Sequence, residues 1–169
     1  MLFNESEREL IEAAQLVLQD GVRRLKDREN LFPTNRSKWR NVRQEAREAR
    51  EAKEALTLSL ITDYGSSTYE RAVAVLIDAQ GRLIAIEEFP RGKASSVSLS
   101  PRLLAGFVID HGASAVLLAH NHPSGNCSPS KEDIAVTDFI GAWLGKMECA
   151  LIDHLVLTAG DSCSILGEW

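Results

Sequence analysis

The pattern of apolar positions predicts four short buried strands in the last two thirds of the chain. Each is a run of five to nine residues rich in Val, Ile, Leu or Ala. Ala79-Gln80-Gly81 separates the first two runs, so these strands are predicted to form an antiparallel hairpin. The predicted strands cover residues 71–78, 83–87, 115–119 and 150–158.

Two amphipathic helices are predicted between these strands. Ser100 is a suitable N-cap with Pro101 at the first helical position, and Gly112 is a suitable stop. Ser130 and Asp133 form a capping box that opens the second helix. Strand, strand, helix, strand, helix, strand predicts an α/β or α+β fold, in which a mixed β-sheet packs against flanking helices in three layers.

The first 56 residues have a different pattern and are predicted to form N-terminal helices that precede this domain. An apolar stripe predicts a helix over 5–29, whereas 37–56 alternate Glu with Arg and Lys at helical spacing. The second segment has few large apolar residues, so we expect a solvent-exposed connecting or partner-binding helix. The sequence therefore predicts a charged helical region, 1–56, through which an oligomer could form, and a core domain, 57–169.

Composition and charge restrict the function only mildly. A chain of 169 residues can bury the core of one domain and still carry an appendage. The net charge of -5 argues against a protein that coats nucleic acid by charge alone. Residues 1–56 nevertheless carry twelve of the nineteen Lys and Arg side chains, which gives weak support for contact with an acidic partner.

Cysteine usage and the apolar runs predict a cytoplasmic location. The three cysteines lack C-x-x-C spacing and cannot all pair, so a reducing compartment is the default expectation. Residues 1–7 do not resemble a signal peptide, and the longest apolar runs are too short to span a membrane. We therefore expect no contact with a membrane.

The most informative chemistry lies between the third strand and the second helix, in residues 119–133. His120 and His122 are two residues apart, so a strand would project both imidazoles from one face. The Pro-Ser-Gly turn at 123–125 reverses the chain, and Asp133 follows in the first turn of the helix. Two histidines and one aspartate, with a fourth position open to water, are the layout of a catalytic zinc site holding one Zn2+ per chain.

Each part of this motif also has a purely structural explanation. A lone histidine at a strand end is usually solvated or hydrogen-bonded to protein. Ser130 and Asp133 could serve only to cap the helix. Cys127 could oxidise or fill the open metal position, although an ordinary loop residue is the simpler interpretation. The combination of all the parts in so short a stretch favours metal binding.

The string H-N-H-P-S-G-x-x-x-P-S-x-x-D resembles the JAMM (MPN+) metalloprotease motif, and in particular the RadC-like JAB/JAMM domain proteins. Weaker similarities to that family extend from about Tyr69 to Ser164. The resemblance implies a JAMM/cytidine-deaminase-like fold and a zinc metallopeptidase that acts on a peptide or protein substrate. The family's link to DNA implies the alternative, a DNA repair or replication accessory protein with a structural or vestigial metal site.

The resemblance also implies roles for individual residues. His120, His122 and Asp133 would hold the zinc, and Ser130 would donate a hydrogen bond to the developing oxyanion. A glutamate outside the coordination shell would act as the general base that takes a proton from the attacking water.

Three glutamates are candidates for this base. Glu70 stands where a polar loop leads into the first buried strand, which matches the JAMM glutamate and makes it the first choice. Glu87 and Glu88 end the second strand, where alternation lets only one of them face the site, and Glu87 is the next choice. His154 is expected either beside the metal ligands, as the family's Asp-His pair implies, or packed at a strand end and held by Asp153.

Overall fold

A five-stranded mixed sheet forms the centre of the protein in the computed structural model, which describes residues 47, 50–91 and 99–167. The helix predicted over 5–29 and most of the one predicted over 37–56 lie outside the described residues. The described elements are a helix at 50–60 (α1) that ends in a π-helical turn (Ile61–Gly65), β1 (Ala72–Ile77), β2 (Leu83–Glu88), α2 (Pro101–His111), β3 (Ala115–Asn121), α3 (Lys131–Lys146), β4 (Ala150–Leu157) and β5 (Ser162–Ser164).

The strands lie in the order β2-β1-β3-β4-β5. β1 is antiparallel to both β2 and β3, and β4 is antiparallel to β5. β3 and β4 are the only parallel pair of this sheet, and α3 makes the crossover that a parallel connection requires. The predicted hairpin and the predicted α/β fold with a mixed sheet are therefore confirmed, whereas β5 was not predicted because it has only three residues.

Both faces of the sheet are covered, which explains why every residue of β1 and β3 is buried. Alternate residues of β1 and β3 form one cluster with α2 and α3, and residues between them pack against α1, most of them in a second cluster and Ile77 and Ala115 in a small third one with Ala52. The α2/α3 face includes Ala72, Ala74, Leu76, Val116 and Leu118. The α1 face includes Val73, Val75, Leu117 and Ala119.

Helix α1 differs from the prediction of a solvent-exposed connecting helix. Ala52, Leu56 and Leu60 are 3%, 3% and 1% exposed and lie on one line of the helix, which packs against the sheet. The prediction ended the helix at residue 56 and so missed Leu60, although a single line of three apolar residues is enough to dock a short helix. A boundary between residues 56 and 57 would fall inside α1.

The ends of the other helices follow the predicted capping signals. The Ser100 side chain accepts a hydrogen bond from the Leu103 N–H, with Pro101 in the first turn, and Gly112 ends α2 in the left-handed region at φ 65°. Within the described part of the chain, no helix has both the length and the apolar character needed to cross a membrane.

Replacement of Leu56 by alanine tests whether α1 belongs to the core. Leu56→Ala should lower the free energy of unfolding by about 2–5 kcal/mol, because it leaves a cavity between α1 and the sheet. Leu58→Ala on the same helix is the matched control, since Leu58 is 65% exposed and its loss should change stability by less than about 0.5 kcal/mol. Urea denaturation measures both, and equal effects would contradict the packing of α1.

Candidate metal centre

The two histidines of the H-x-H motif lie at the end of β3 and face the same side of the sheet. His120 is the penultimate residue of β3, and His122 continues the strand by donating its backbone N–H to the Leu157 carbonyl at 2.9 Å. The two Nε2 atoms are 3.0 Å apart. His120 is 6% exposed, because α3 covers this end of the sheet.

Asp133 reaches the same point from the first turn of α3. One carboxylate oxygen lies 3.3 Å from His120 Nε2, and the other lies 3.4 Å from His122 Nε2. Donors bound at about 2.0–2.1 Å to a tetrahedral zinc ion are roughly 3.3 Å from one another. The three side chains therefore have the chemistry and the spacing to hold a metal ion.

Asp133 takes part in the capping box of α3 and faces the two histidines at the same time. Ser130 donates to Asp133 Oδ2 from its backbone N–H at 2.7 Å and from its hydroxyl at 2.6 Å, and it accepts from the Asp133 N–H at 3.0 Å. These bonds hold the carboxylate against the helix end while it still faces the histidines. The structural and the metal-binding interpretations of Ser130 and Asp133 are therefore compatible.

The tautomer of His122 is fixed by a hydrogen bond to a backbone carbonyl. His122 Nδ1 lies 2.9 Å from the Asn126 backbone oxygen, which can only accept. Nδ1 must therefore carry the proton, and in the neutral ring Nε2 has a free lone pair. That lone pair is directed toward Asp133 and His120.

His120 is oriented by a longer chain of hydrogen bonds that also ends on a carbonyl. The Thr137 hydroxyl donates to the Asp133 backbone oxygen at 2.6 Å, so it accepts from His154 Nδ1 at 2.7 Å. His154 Nε2 then accepts from His120 Nδ1 at 2.8 Å. His120 Nε2 is consequently unprotonated and available as a ligand.

His154 therefore lies beside a candidate ligand rather than at a strand end. It is fully buried within β4, and Asp153 accepts a hydrogen bond from its backbone N–H, not from its ring. Asp153 therefore holds the backbone of His154, while His120 and Thr137 bind its ring. The side chain of Asp153 faces the other side of the sheet, where Ser164 and the Leu166 N–H donate to it.

The buried positions of these groups favour the protonation states that ligands require. Burial lowers the pKa of His120 to about 4, against the raising effect of Asp133, and burial lowers the pKa of His154 to about 3. Burial by itself would raise the pKa of Asp133, but the two hydrogen bonds from Ser130 and the nearby histidines lower it overall. At neutral pH the site therefore presents neutral His120 and His154 rings and an ionised Asp133 carboxylate.

The three candidate glutamates occupy different surroundings. Ala72 pairs with His120, and the Asn121 N–H donates to the Arg71 carbonyl at 3.1 Å. Glu70 lies just before Arg71 and outside β1, and an extension of this register by two residues would put it opposite His122 and on the same face of the sheet.

The two glutamates of β2 have other partners. Glu87 Oε1 lies 2.8 Å from His111 Nε2 at the end of α2. Glu88 faces the α1 side of the sheet, where Arg71 makes two 2.7 Å bonds to its carboxylate. These bonds lower the pKa of Glu88, which makes it a poor base. Its position on the α1 side and its lowered pKa therefore both argue against a role beside the histidines.

Cys127 is neither a free loop cysteine nor a neighbour in the open metal position. It forms a disulfide with Cys163 of β5, while Cys149 is free and buried. The bond joins the loop between His122 and Asp133 to β5. No sequence signal indicated this pair, because the two cysteines are 36 residues apart and meet only when β4 and the loop are in place.

The sequence interpretation also missed Thr137 and Asn126 as partners of the histidines. Thr137 lies on the buried side of α3, where a hydroxyl with no exposure must find a hydrogen-bond partner. A polar residue on a buried helix face was therefore the available signal. Asn126 acts through its backbone oxygen, for which the sequence contains no signal.

The sheet, its flanking helices and the His-His-Asp group define a JAB-type domain. The chain belongs to the RadC-like JAB domain family, whose sequence pattern matches residues 48–168. This match includes α1, in agreement with the packing of that helix.

Relatives of similar sequence are UPF0758 proteins. The one from Variovorax paradoxus (strain S110) is 40% identical over 101 residues, which is 60% of this chain and 45% of that protein. The one from Delftia acidovorans (strain DSM 14801 / SPH-1) is 39% identical over 100 residues, 59% of this chain and 44% of that protein. The one from Burkholderia cenocepacia (strain HI2424) is 38% identical over 100 residues, 59% of this chain and 39% of that protein. The chain therefore spans less than half the length of these relatives.

The lowered histidine pKa values predict that the metal-free protein loses stability in mild acid. An unfolded histidine titrates near 6.5, so between about pH 6.5 and 4 the unfolded state binds more protons than the folded state. The free energy of unfolding should be constant above about pH 6.5 and should fall as the pH is lowered from 6.5 to 4, by up to about 1.4 kcal/mol per pH unit for each histidine.

Urea denaturation with a chelator present, at a series of pH values, measures this slope. His154→Gln removes one of the two buried histidines and should show about half of it. A free energy of unfolding that stays level from pH 6.5 to 4 in the unmodified protein would contradict the buried neutral state.

Proposed function

We propose that this protein is a zinc-dependent metallohydrolase that cleaves peptide or isopeptide bonds. The single observation that carries the proposal is the convergence of two unprotonated imidazole nitrogens and one carboxylate within 3.0–3.4 Å of one another. Lone pairs brought this close repel each other unless a cation lies among them. Membership of the RadC-like JAB domain family supports the proposal, because the JAB superfamily includes metalloproteases.

Zinc suits this set of donors better than most other ions. Two imidazoles and one carboxylate are a common ligand set of catalytic zinc sites, which keep a further position for water or substrate. His120, His122 and Asp133 would hold the ion, and His154 and Thr137 would keep His120 in the correct tautomer. When bound, zinc supplies Lewis acidity and a water nucleophile that is active near pH 7.

The remaining steps belong to side chains of this protein. Glu70, on the same face as both histidines, would accept the proton of the attacking water and deliver it to the leaving amine. The only hydroxyl proton of Ser130 goes to Asp133, so we assign Ser130 first to orienting that carboxylate. Donation from Ser130 to an oxyanion would require the hydroxyl to leave Asp133.

Metal analysis of the purified protein tests the site directly. We expect one zinc ion per chain, and His120→Ala should abolish binding. His154→Gln and Thr137→Val should each weaken zinc affinity about 10- to 100-fold, because they free the His120 ring to rotate or change tautomer. Competition with a chromogenic chelator measures the affinities. Phe139→Ala, a change on the exposed side of α3, is the control that should leave them unaltered.

An absence of zinc binding would overturn the hydrolase proposal. DNA binding that weakens with salt but persists in His120→Ala would instead favour the accessory protein with a vestigial site.

Substitution of the glutamates separates the base from the ligands. Glu70→Gln should retain zinc and lower kcat about 10²- to 10⁴-fold, because the amide cannot accept the proton of the attacking water. Glu87→Gln should leave kcat within about threefold, because Glu87 pairs with His111. Internally quenched peptides and lysine-linked isopeptides serve as probes. A larger loss in Glu87→Gln than in Glu70→Gln would assign the base to Glu87.

A further inference from the structure

We propose that Asn121, the residue between the two histidines, is a positioning residue that holds the segment carrying Glu70 in place beside the metal ligands. This inference rests on the proposed function, because it concerns the placement of the proposed base. Asn121 is fully buried and points to the opposite side of the sheet from His120 and His122. It therefore contacts neither the ligands nor a substrate at their face.

The side-chain amide of Asn121 is used entirely on the segment Ser67–Arg71. Its oxygen accepts from the Arg71 N–H at 2.6 Å. Its two N–H groups donate to the Ser67 carbonyl at 3.2 Å and the Tyr69 carbonyl at 3.1 Å. The residues on both sides of Glu70 are thus bonded to one side chain.

Only asparagine provides these bonds at this position. An aspartate would keep the acceptor for Arg71 but lose both donors, and a leucine of similar size would lose all three bonds. Glutamine, which has the same groups, is longer by one methylene and would not fit the same enclosed space without a shift of the strand. The amide therefore matches a loop that turns three backbone groups toward the end of β3.

The side chain of Arg71 attaches the same segment to neighbouring elements. Its guanidinium makes two bonds to Glu88 of β2, donates to the Asp63 carbonyl at 3.0 Å and lies 4.4 Å from the centre of the Tyr64 ring. The segment is therefore attached to β2, to β3 and to the π-helical turn. Glu88, which the sequence offered as a candidate base, belongs to this support.

The location of Asn121 makes the attachment useful for catalysis. The three hydrogen bonds from the Asn121 amide to the Ser67–Arg71 segment form a clamp on the backbone around Glu70. Because His120, Asn121 and His122 are consecutive, the candidate ligands and this clamp lie on one stretch of backbone. Any shift of this strand end moves the histidines and the glutamate together. A general base must stay within hydrogen-bond reach of the water that it deprotonates, and a displacement of about 1 Å can cost about 100-fold in rate.

Amide hydrogen exchange in the zinc-loaded protein tests the clamp without any substrate. In Asn121→Leu the Arg71 N–H loses its acceptor, so its exchange should accelerate at least about tenfold. The Thr158 N–H, which bonds to the Asp161 carbonyl at 2.8 Å, is the internal control and should not change. If Asn121→Leu does not fold, Asn121→Asp replaces it; this change keeps the acceptor for the Arg71 N–H but releases the Ser67 and Tyr69 carbonyls, so acceleration is then expected at the Tyr69 N–H, which bonds to the Ser67 hydroxyl at 3.4 Å.

Kinetics on the peptide and isopeptide probes test the catalytic consequence. Asn121→Leu should lower kcat about 10- to 100-fold, while zinc affinity stays within about threefold of the wild type. In the Glu70→Gln background the same change should lower kcat no further, since the base is already absent. Leu117→Ala, a buried change on the same strand, should reduce stability without reducing kcat of the folded protein.

The outcomes separate the clamp from the proposed function. Unchanged exchange at the Arg71 N–H in Asn121→Leu, unchanged exchange at the Tyr69 N–H in Asn121→Asp, or a loss of kcat that persists undiminished in the Glu70→Gln background would overturn the positioning role. A wild type that binds zinc and cleaves none of the probes would count against the proposed function alone, and the exchange rates would then decide on the clamp.

Discussion

The site depends on hydrogen bonds that end on backbone carbonyls. A carbonyl oxygen cannot donate, so each chain of bonds that reaches one has a fixed direction. The Asn126 oxygen orients His122 directly, and the Asp133 oxygen orients His120 through Thr137 and His154. Two imidazoles that could each exist in two tautomers are thereby restricted to the one that directs Nε2 at Asp133.

This constraint has a thermodynamic cost that the rest of the fold must offset. Buried imidazoles cannot easily take up a proton, and a buried carboxylate must replace its lost hydration with hydrogen bonds. Ser130 supplies those bonds to Asp133 from the same positions that cap α3. One pair of residues therefore stabilises a helix end and orients a candidate ligand, and the two functions do not compete.

The sheet places each contributor because β3 lies between its two neighbours. β1, which directly follows the segment with Glu70, pairs with one edge of β3, and β4, which contains His154, pairs with the other. Alternation along β3 then separates the functions by face. The histidines point to α3, and Asn121 points to the side of α1, where it binds the backbone around Glu70.

The hairpin, the order of the elements, the ends of α2 and the capping box of α3 could all be predicted from the sequence. They depend on residues close together along the chain, such as Ser100 with Pro101 or Ser130 with Asp133, where local geometry decides the outcome. The side chains of the proposed ligand set were also recognisable, because a strand, a turn and the first turn of a helix bring His120, His122 and Asp133 together within fourteen positions.

Tertiary structure alone decided how the candidate site is supported. Asn121 binds the Arg71 N–H across 50 residues of sequence, His154 meets His120 across 34, and Cys127 joins Cys163 across 36. The docking of α1 likewise depends on a sheet surface formed by strands that come later in the chain. Strand order and register create these contacts, and a single amphipathic pattern carries no information about which distant strand becomes its neighbour.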